Sequence, residues 1–334
     1  MHEALFYEKR DKKVFCRLCP KGCAIEEGHT GFCRVKESRG GKLYAVNYGH
    51  CTSSAVDPIE KKPLYHFYPA HTILSLGTYG CNLRCRFCQN WEIAHGSPPA
   101  VVITPEQVAA MIASQGRRCI GVAYTYSEPV VWYEFIYATV RLVKEAGFKN
   151  VLVTNGFINE KPLREILPYI DAMNIDVKSF RDDYYKEYCA GRLKPVLRTV
   201  ELASKECHVE VTNLLVTGLN DSEEEVADLV NWLSHLNPEI PLHFSRYFPN
   251  FELDLPPTPV ERLFRAREIA REKLKFVYLG NVWDEEGGNT YCPNCNAVII
   301  RREGYRVRRA DLGGGKCTVC GEAVPIVGGV WEGR

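Results

Sequence analysis

The chain has 334 residues, of which 46% are hydrophobic and 25% are charged, and its formal net charge is +1. This length and composition are those of a globular protein with one large domain and small additions. The balanced charge gives no electrostatic reason to expect nucleic acid or a membrane surface as a partner.

The hydropathy and the cysteine spacing indicate a cytoplasmic protein. No apolar run approaches the ~20 residues of a membrane span, and the first ten residues lack the order of charge and hydrophobicity that marks a secretory signal. Eleven of the 15 cysteines fall into three clusters of closely spaced residues. Without a secretory signal, such clusters predict metal sites in a reducing compartment rather than disulfides.

The segment 1–68 is polar, rich in cysteine and glycine, and contains the first cluster. Cys16, Cys19, Cys23 and Cys33 follow a C-x2-C-x3-C pattern with a fourth cysteine downstream. Four thiolates fit a zinc site, whereas the spacing is also compatible with an iron–sulfur cluster. The pattern leaves both metals open, with structural zinc preferred.

Residues 69–283 alternate short apolar runs with helical stretches. The spacing predicts strands over 72–78, 119–126, 150–155, 172–178, 208–217, 242–248 and 276–280. It predicts helices over 105–114, 129–146, 162–169, 182–188, 222–235 and 259–273. Thr104, Pro105 and Gln107 predict a capping box at the start of the first of these helices. Repeated strand–helix units predict a parallel sheet whose ligand lies at the carboxyl ends of the strands.

The second cysteine cluster follows the first of these strands. Cys81-x3-Cys85-x2-Cys88 places three thiolates in one short loop. Structural zinc sites and [4Fe–4S] clusters usually take four protein ligands. Three cysteines around a cubane cluster therefore leave one iron open for a substrate or cofactor. The alternative is a zinc knuckle, or three buried cysteines that act as small apolar side chains.

Polar residues follow several of the predicted strands. Asn174, Asp176 and Lys178 are two residues apart, which places them on one strand face. A parallel strand that is buried on both faces normally reads as continuous apolar residues, so a barrel interior explains this alternation. An ordinary structural Asp–Lys pair is the alternative.

The third cluster lies in the segment 284–334. Cys292-x2-Cys295 and Cys317-x2-Cys320 are separated by 21 residues, the spacing of a zinc ribbon with four thiolate ligands. Since about fifty residues are too few for an adequate core, we expect folding to be coupled to metal binding. An auxiliary iron–sulfur cluster is the alternative.

The loop of Cys81, Cys85 and Cys88, with Phe87 before its third cysteine, resembles the cluster loop of radical S-adenosylmethionine (SAM) enzymes. The resemblance implies an α/β fold: a partial (β/α)6 barrel over 69–283, with the N-terminal cysteine-rich segment 1–68 and the C-terminal zinc ribbon 284–334. It also implies that a [4Fe–4S] cluster holds SAM at its open iron. The reduced cluster then cleaves SAM to methionine and a 5′-deoxyadenosyl radical, which abstracts a hydrogen atom.

The same resemblance implies roles for residues around the cofactor. Glu128, in Tyr126-Ser127-Glu128-Pro129, stands where the family has a Gly-Gly-Glu-Pro run that receives the ammonium of SAM; the alternative is an acid at a helix start. Asn155 lies in a Thr-Asn-Gly-Phe turn found in glycyl-radical activating enzymes, where direct SAM contact and a plain turn both remain open. The resemblance also implies that Phe87 in the loop binds the cofactor, and that Lys178, with its neighbour Asp176, receives the SAM carboxylate. Where the family tends to have arginine, this chain has Thr212, so Asn213 or Glu210 is expected to face the pocket instead.

Over residues 14–281 the motifs resemble the AmmeMemoRadiSam subgroup, which is related to pyruvate formate-lyase activating enzymes. This implies hydrogen abstraction from a glycine of a partner protein, with an electron from a ferredoxin or flavodoxin. Two other hypotheses remain: radical modification of a small molecule or nucleotide, and a non-catalytic zinc-binding interaction protein. The sequence favours no membrane partner and does not indicate nucleic acid.

Overall fold

The structure is a computed structural model that describes residues 1–284 and 286–332, so positions 285, 333 and 334 of the predicted ribbon segment lie outside the described residues. The N-terminal segment forms short antiparallel strands, which make the sheets β1-β6-β5 and β2-β3-β4. The strands are β1 (His2–Glu3), β2 (Tyr7–Arg10), β3 (Lys13–Cys16), β4 (Ala24–Glu26), β5 (Lys36–Arg39), β6 (Lys42–Ala45), β7 (His50–Cys51) and β8 (Ser53–Pro58).

The centre of the molecule is an eight-stranded sheet with the order β16-β15-β14-β13-β12-β11-β9-β8. Its further strands are β9 (Thr72–Gly77), β11 (Cys119–Tyr124), β12 (Lys149–Thr154), β13 (Ala172–Asp176), β14 (His208–Leu215), β15 (Leu242–Arg246) and β16 (Val277–Gly280), while β10 (Val101–Val102) pairs with β7. β9 and the strands after it in the central sheet are parallel, as predicted, and only β8 runs antiparallel to its neighbour. The sheet thus has one more parallel strand than six barrel units require. The edge strand β8 comes from the segment 1–68.

Helices connect the parallel strands. They are α1 (Trp91–His95), α2 (Pro105–Ala113), α3 (Tyr133–Glu145), α4 (Glu160–Ile166), α5 (Asp182–Cys189), α6 (Leu193–Ala203), α7 (Glu223–Leu236) and α8 (Val260–Arg271). Thr104 and Gln107 form the predicted capping box at α2. The prediction of one helix from Pro129 is wrong in its first turn, which is a 3-10 helix over Pro129–Trp132. Helix α6 was not predicted, and across the described ranges no helix is long and apolar enough to span a bilayer.

The C-terminal segment is a small antiparallel unit that packs against the barrel. It contains β17 (Thr290–Tyr291), β18 (Val298–Glu303), β19 (Arg306–Ala310), β20 (Leu312–Gly313) and β21 (Lys316–Cys317). Its core includes Cys292 and Ile299, which share a hydrophobic cluster with Tyr65, Phe276 and Tyr278. The ribbon therefore uses apolar surface from the rest of the chain to complete its own small core.

Candidate active site

The loop with Cys81, Cys85 and Cys88 follows strand β9 at its carboxyl end, where a parallel sheet carries its ligands. All three cysteines line one cavity of about 340 Å³. A single zinc ion with bonds of about 2.3 Å would hold thiolates about 3.8 Å apart. The sulfurs of these three cysteines are not all that close together. Within residues 1–284 and 286–332, only the C-terminal cysteines described below have three or more ligand atoms all within 4.8 Å of one another. Three separated thiolates fit a [4Fe–4S] cluster with one open iron.

Asn155, directly after β12, holds this loop to the end of that strand. Its side-chain amide donates to the Cys81 Sγ at 3.7 Å and to the Asn82 Oδ1 at 2.9 Å. Asn82 in turn donates to the Phe157 carbonyl. Asn155 is therefore a positioning residue for the cysteine loop, and it also lines the cavity, as the turn motif implied.

Glu128 lies on the cavity wall with its side chain almost completely buried. Its carboxylate accepts hydrogen bonds from Val130 N (2.9 Å), Thr154 Oγ1 (2.6 Å) and Asn155 N (2.8 Å). Burial raises the pKa of Glu128 to about 7, although these donors and Lys178 act in the opposite direction. Since a carboxylate has about four acceptor sites, it can receive one more donor. The helix-start role and the ammonium-binding role are thus compatible.

Tyr126 and Ser127 precede Glu128, and one of them has a backbone conformation that is typical of glycine. Tyr126 has a φ of +70°, in the left-handed region that glycine adopts at no steric cost. Its hydroxyl donates to Asp57 Oδ2 at 2.9 Å, and the Ser127 hydroxyl donates to the Thr78 carbonyl at 2.6 Å. Both side chains are therefore fixed to neighbouring elements of the barrel.

Lys178 supplies the positive charge of the cavity. It lies two residues beyond β13, its side chain is 14% exposed, and its Nζ donates to Asp176 Oδ2 at 2.9 Å. Burial by itself lowers the pKa of Lys178, but the negative charges of Asp176, Cys85 and Cys189 raise it well above its ordinary value. Lys178 therefore remains protonated at neutral pH and can bind an anion.

Asn213 is not on the cavity wall. Its side-chain amide donates to the Val177 carbonyl at 2.8 Å, while Thr212 and Leu214 line the cavity on that strand. Because successive residues of a strand point to opposite faces, only one of these two sets can face the cofactor. The structure thus places Phe87 on the cavity wall and Asn213 off it, and the role of either in cofactor binding stays a prediction.

The cavity wall also contains residues that the motifs did not indicate. His243 and Glu60 line it, and Tyr305 reaches it from the turn between β18 and β19. His243 Nε2 is 2.6 Å from Glu210 Oε2, and His208 Nε2 is 3.0 Å from Glu210 Oε1. Burial raises the pKa of Glu210, but hydrogen bonds from these two histidines hold it well below its ordinary value. Nothing in the local sequence of β15 shows that His243 faces the cavity; the fold places it there.

The ribbon cysteines form a compact group that could hold a metal ion. The ligand atoms of Cys292, Cys295, Cys317 and Cys320 all lie within 4.8 Å of one another. Two of the sulfur–sulfur distances are 3.5 Å and 3.8 Å, close to the separation of about 3.8 Å around a tetrahedral zinc ion. The geometry fits one four-coordinate ion, as the spacing predicted.

Comparison with known proteins agrees with this site. The family model of the radical SAM superfamily matches residues 75–233. An uncharacterised protein of Methanocaldococcus jannaschii is 47% identical over 337 residues, which cover 98% of this chain and 100% of that protein. The chain belongs to the radical SAM superfamily.

More distant relatives match only part of the chain. The pyruvate formate-lyase-activating enzyme of Clostridium pasteurianum is 27% identical over 164 residues, 47% of this chain and 67% of that enzyme. The solved structure of Streptococcus suis SuiB bound to S-adenosylmethionine aligns with a TM-score of 0.51 and 14% identity, over 67% of this chain and 54% of SuiB. That likeness concerns the fold alone. Membership of the family implies a [4Fe–4S] cluster and SAM as cofactors.

Proposed function

We propose that this protein binds SAM between Glu128 and Lys178 and cleaves it reductively at a cluster on Cys81, Cys85 and Cys88. When bound, a reduced [4Fe–4S] cluster supplies one electron to SAM, which yields methionine and a 5′-deoxyadenosyl radical. The observation that carries the proposal is the placement of the buried anion Glu128 and the largely buried cation Lys178 on the wall of the cavity that the three cysteines line. They match the two charges of an amino acid.

The residues have distinct tasks in this proposal. Glu128 receives the ammonium, since its carboxylate keeps a free acceptor site beside three protein donors. Lys178 receives the carboxylate, and Asp176 orients the lysine. Asn155 positions Cys81, and Phe87 covers the apolar side of the pocket. Zinc in the ribbon stabilises the segment whose turn carries Tyr305 to the cavity.

We infer a partner protein as the target of the radical, with a glycine as the residue that loses hydrogen. Trp91, Phe248 and Trp283 are exposed, and each lies within three residues of a residue that lines the cavity. Exposed aromatic side chains close in sequence to the cavity lining favour a protein partner, because aromatic residues are enriched at protein–protein interfaces. The relation to an activating enzyme points in the same direction. The electron comes from a ferredoxin or flavodoxin, in keeping with a cytoplasmic location.

A small molecule or nucleotide is the second candidate for the target. His243 and Glu60 line the same cavity as the residues proposed to bind SAM, and they offer polar contacts to a second ligand.

The test begins with SAM cleavage. The anaerobically reconstituted protein is reduced in the presence of SAM, and 5′-deoxyadenosine is measured by chromatography. Product from the wild type, with none from Cys85→Ala, supports the proposal. Absence of product from a protein with an intact cluster would refute it and favour the non-catalytic zinc-binding hypothesis.

A second experiment separates the two targets. Cell extract of the source organism, grown on deuterated glycine, is fractionated into macromolecules and metabolites before incubation with enzyme and SAM. Deuterium in 5′-deoxyadenosine from the macromolecular fraction, together with a glycyl-radical signal in electron paramagnetic resonance (EPR), supports the protein target. Transfer from the metabolite fraction alone contradicts it.

A further inference from the structure

The four cysteines of the N-terminal segment form a second site directly behind the active-site loop. Cys16 ends β3, Cys19 and Cys23 lie in the turn to β4, and Cys33 precedes β5. Cys16 N donates to the Cys23 carbonyl, and Phe32 N donates to the Cys23 Sγ at 3.4 Å. All four cysteines line one cavity.

The separation of their sulfurs argues against a single ion. The ribbon cysteines of the same chain lie within the 4.8 Å limit, as a mononuclear site requires. No three of Cys16, Cys19, Cys23 and Cys33 meet that limit, since the ribbon set is the only such group in the parts of the chain that the structure covers. In this respect they resemble the active-site cysteines. An iron–sulfur cluster accounts for that separation, because several metal ions and sulfides stand between the thiolates.

The two cysteine sites share a wall. Asn82, next to Cys81, and Val130, two residues after Glu128, both line the N-terminal cavity. A Cβ atom at Gly80 would lie 2.8 Å from the Cys33 carbonyl oxygen, so the active-site loop and the N-terminal site are in direct backbone contact. Gly80 has a φ of +92°, a conformation that also requires glycine.

Two cations lie on the wall of the same cavity. Lys36 is buried and forms an ion pair with Glu134, and Lys21 is placed 3.7 Å from the centre of the Phe32 ring. Four thiolates bring excess negative charge into this partly buried site. Since the charge of Lys36 is already balanced by Glu134, Lys21 is the one of the two cations that reduces the cost of that charge.

We propose that Cys16, Cys19, Cys23 and Cys33 bind a second [4Fe–4S] cluster with complete cysteine ligation, adjacent to the cluster on Cys81, Cys85 and Cys88. Because its four coordination positions are filled by protein, this cluster has no open iron for SAM. This assignment replaces the preference for zinc that the spacing alone suggested. It does not depend on the identity of the radical target.

Metal analysis of the full chain tests the proposal. After anaerobic reconstitution with iron, sulfide and zinc, we expect about eight iron, about eight sulfide and about one zinc per chain. About four iron with about two zinc would overturn it, as would an N-terminal cluster of a type other than a cubane in the Mössbauer spectrum. Cys292→Ser/Cys295→Ser is the matched control, which should lose zinc and keep all the iron.

A variant without the first cluster isolates the second. Cys81→Ala/Cys85→Ala/Cys88→Ala should retain about four iron per chain and, after reduction, an EPR signal that SAM does not alter. In the wild type, SAM should alter the signal of the first cluster only. A folded triple variant without iron would refute the proposal. If that variant does not fold, the metal content of the wild type decides, because eight and four iron per chain are readily distinguished.

Discussion

Replacement of Lys178 by alanine tests the assignment of the cofactor carboxylate most directly. The Lys178 side chain is 14% exposed, so its proposed ion pair with SAM is largely shielded from solvent. Removal of one partner from a buried, hydrogen-bonded charge pair costs about 2–5 kcal/mol. We expect the lower part of this range, about 2–3 kcal/mol, because Asp176 already uses one of the lysine's donors. This corresponds to a Kd for SAM that is roughly 30- to 150-fold higher.

The assay is anaerobic equilibrium dialysis of labelled SAM against the reconstituted protein, with cluster content checked by absorbance. Lys149→Ala is the matched control. Lys149 is also partly buried and paired with an aspartate, Asp171, but it lies at the amino end of β12, away from the cavity. Its Kd should equal that of the wild type. A change of less than threefold in Lys178→Ala, with an intact cluster, would refute the assignment.

Asp176→Asn separates orientation from binding. If Asp176 only orients Lys178, its removal should change the Kd by less than tenfold, since the lysine remains able to reach the carboxylate. A loss as large as that of Lys178→Ala would instead mean that Asp176 itself contacts the cofactor.

Three further predictions concern proton linkage, backbone conformation and the ribbon. The carboxyl of Glu128 must lose its proton to bind an ammonium, and its pKa is about 7, so the affinity for SAM should rise between pH 5.5 and 7. Glu128→Gln should abolish that rise. A pH profile that the variant leaves unchanged would contradict the role. Gly156→Ala should lower the free energy of unfolding in urea by about 2–3 kcal/mol, because the residue has a φ of +67° and its Cβ would lie 2.9 Å from Ile175. Gly147→Ala is the control: its φ is +81° but it has no close neighbour, so it should cost only about 1 kcal/mol. Equal losses in the two variants would be inconsistent with a packing contribution. Cys317→Ser should remove the ribbon metal and expose that segment to trypsin while the barrel stays resistant; an unchanged cleavage pattern would show that the ribbon folds without metal.

The sequence was most reliable where structure depends on near neighbours along the chain. The capping box of Thr104 and Gln107 forms as predicted, because it needs only residues three apart. Each predicted barrel strand is present, with differences at its ends. The stretch before helix α6 was predicted as a helix, but α6 itself, which begins only four residues after α5 ends, was missed. The outermost strand β8 was missed because its pairing partner, β9, lies across a long connection.

The direction of side chains in the pocket was less predictable. A one-residue step along β14 turns Asn213 away from the cavity and Thr212 towards it, and nothing in the local sequence distinguishes the two. Tyr126 has a left-handed backbone conformation, and its hydroxyl donates to Asp57 on β8, a residue far away in the sequence. Tyr305 reaches the cavity only because the ribbon packs on Tyr65 and Phe276.

By itself, the sequence determined which cysteines belong together, since ligand spacing is a property of adjacent residues. Through the family resemblance of its motifs, it also pointed to Glu128 and Lys178, which both line the cavity. Only the tertiary structure decided how far apart the sulfurs stand and that the N-terminal site touches the active-site loop at Gly80. Those distances depend on packing between segments that are far apart in the chain, and the nature of the metal centre depends on those distances.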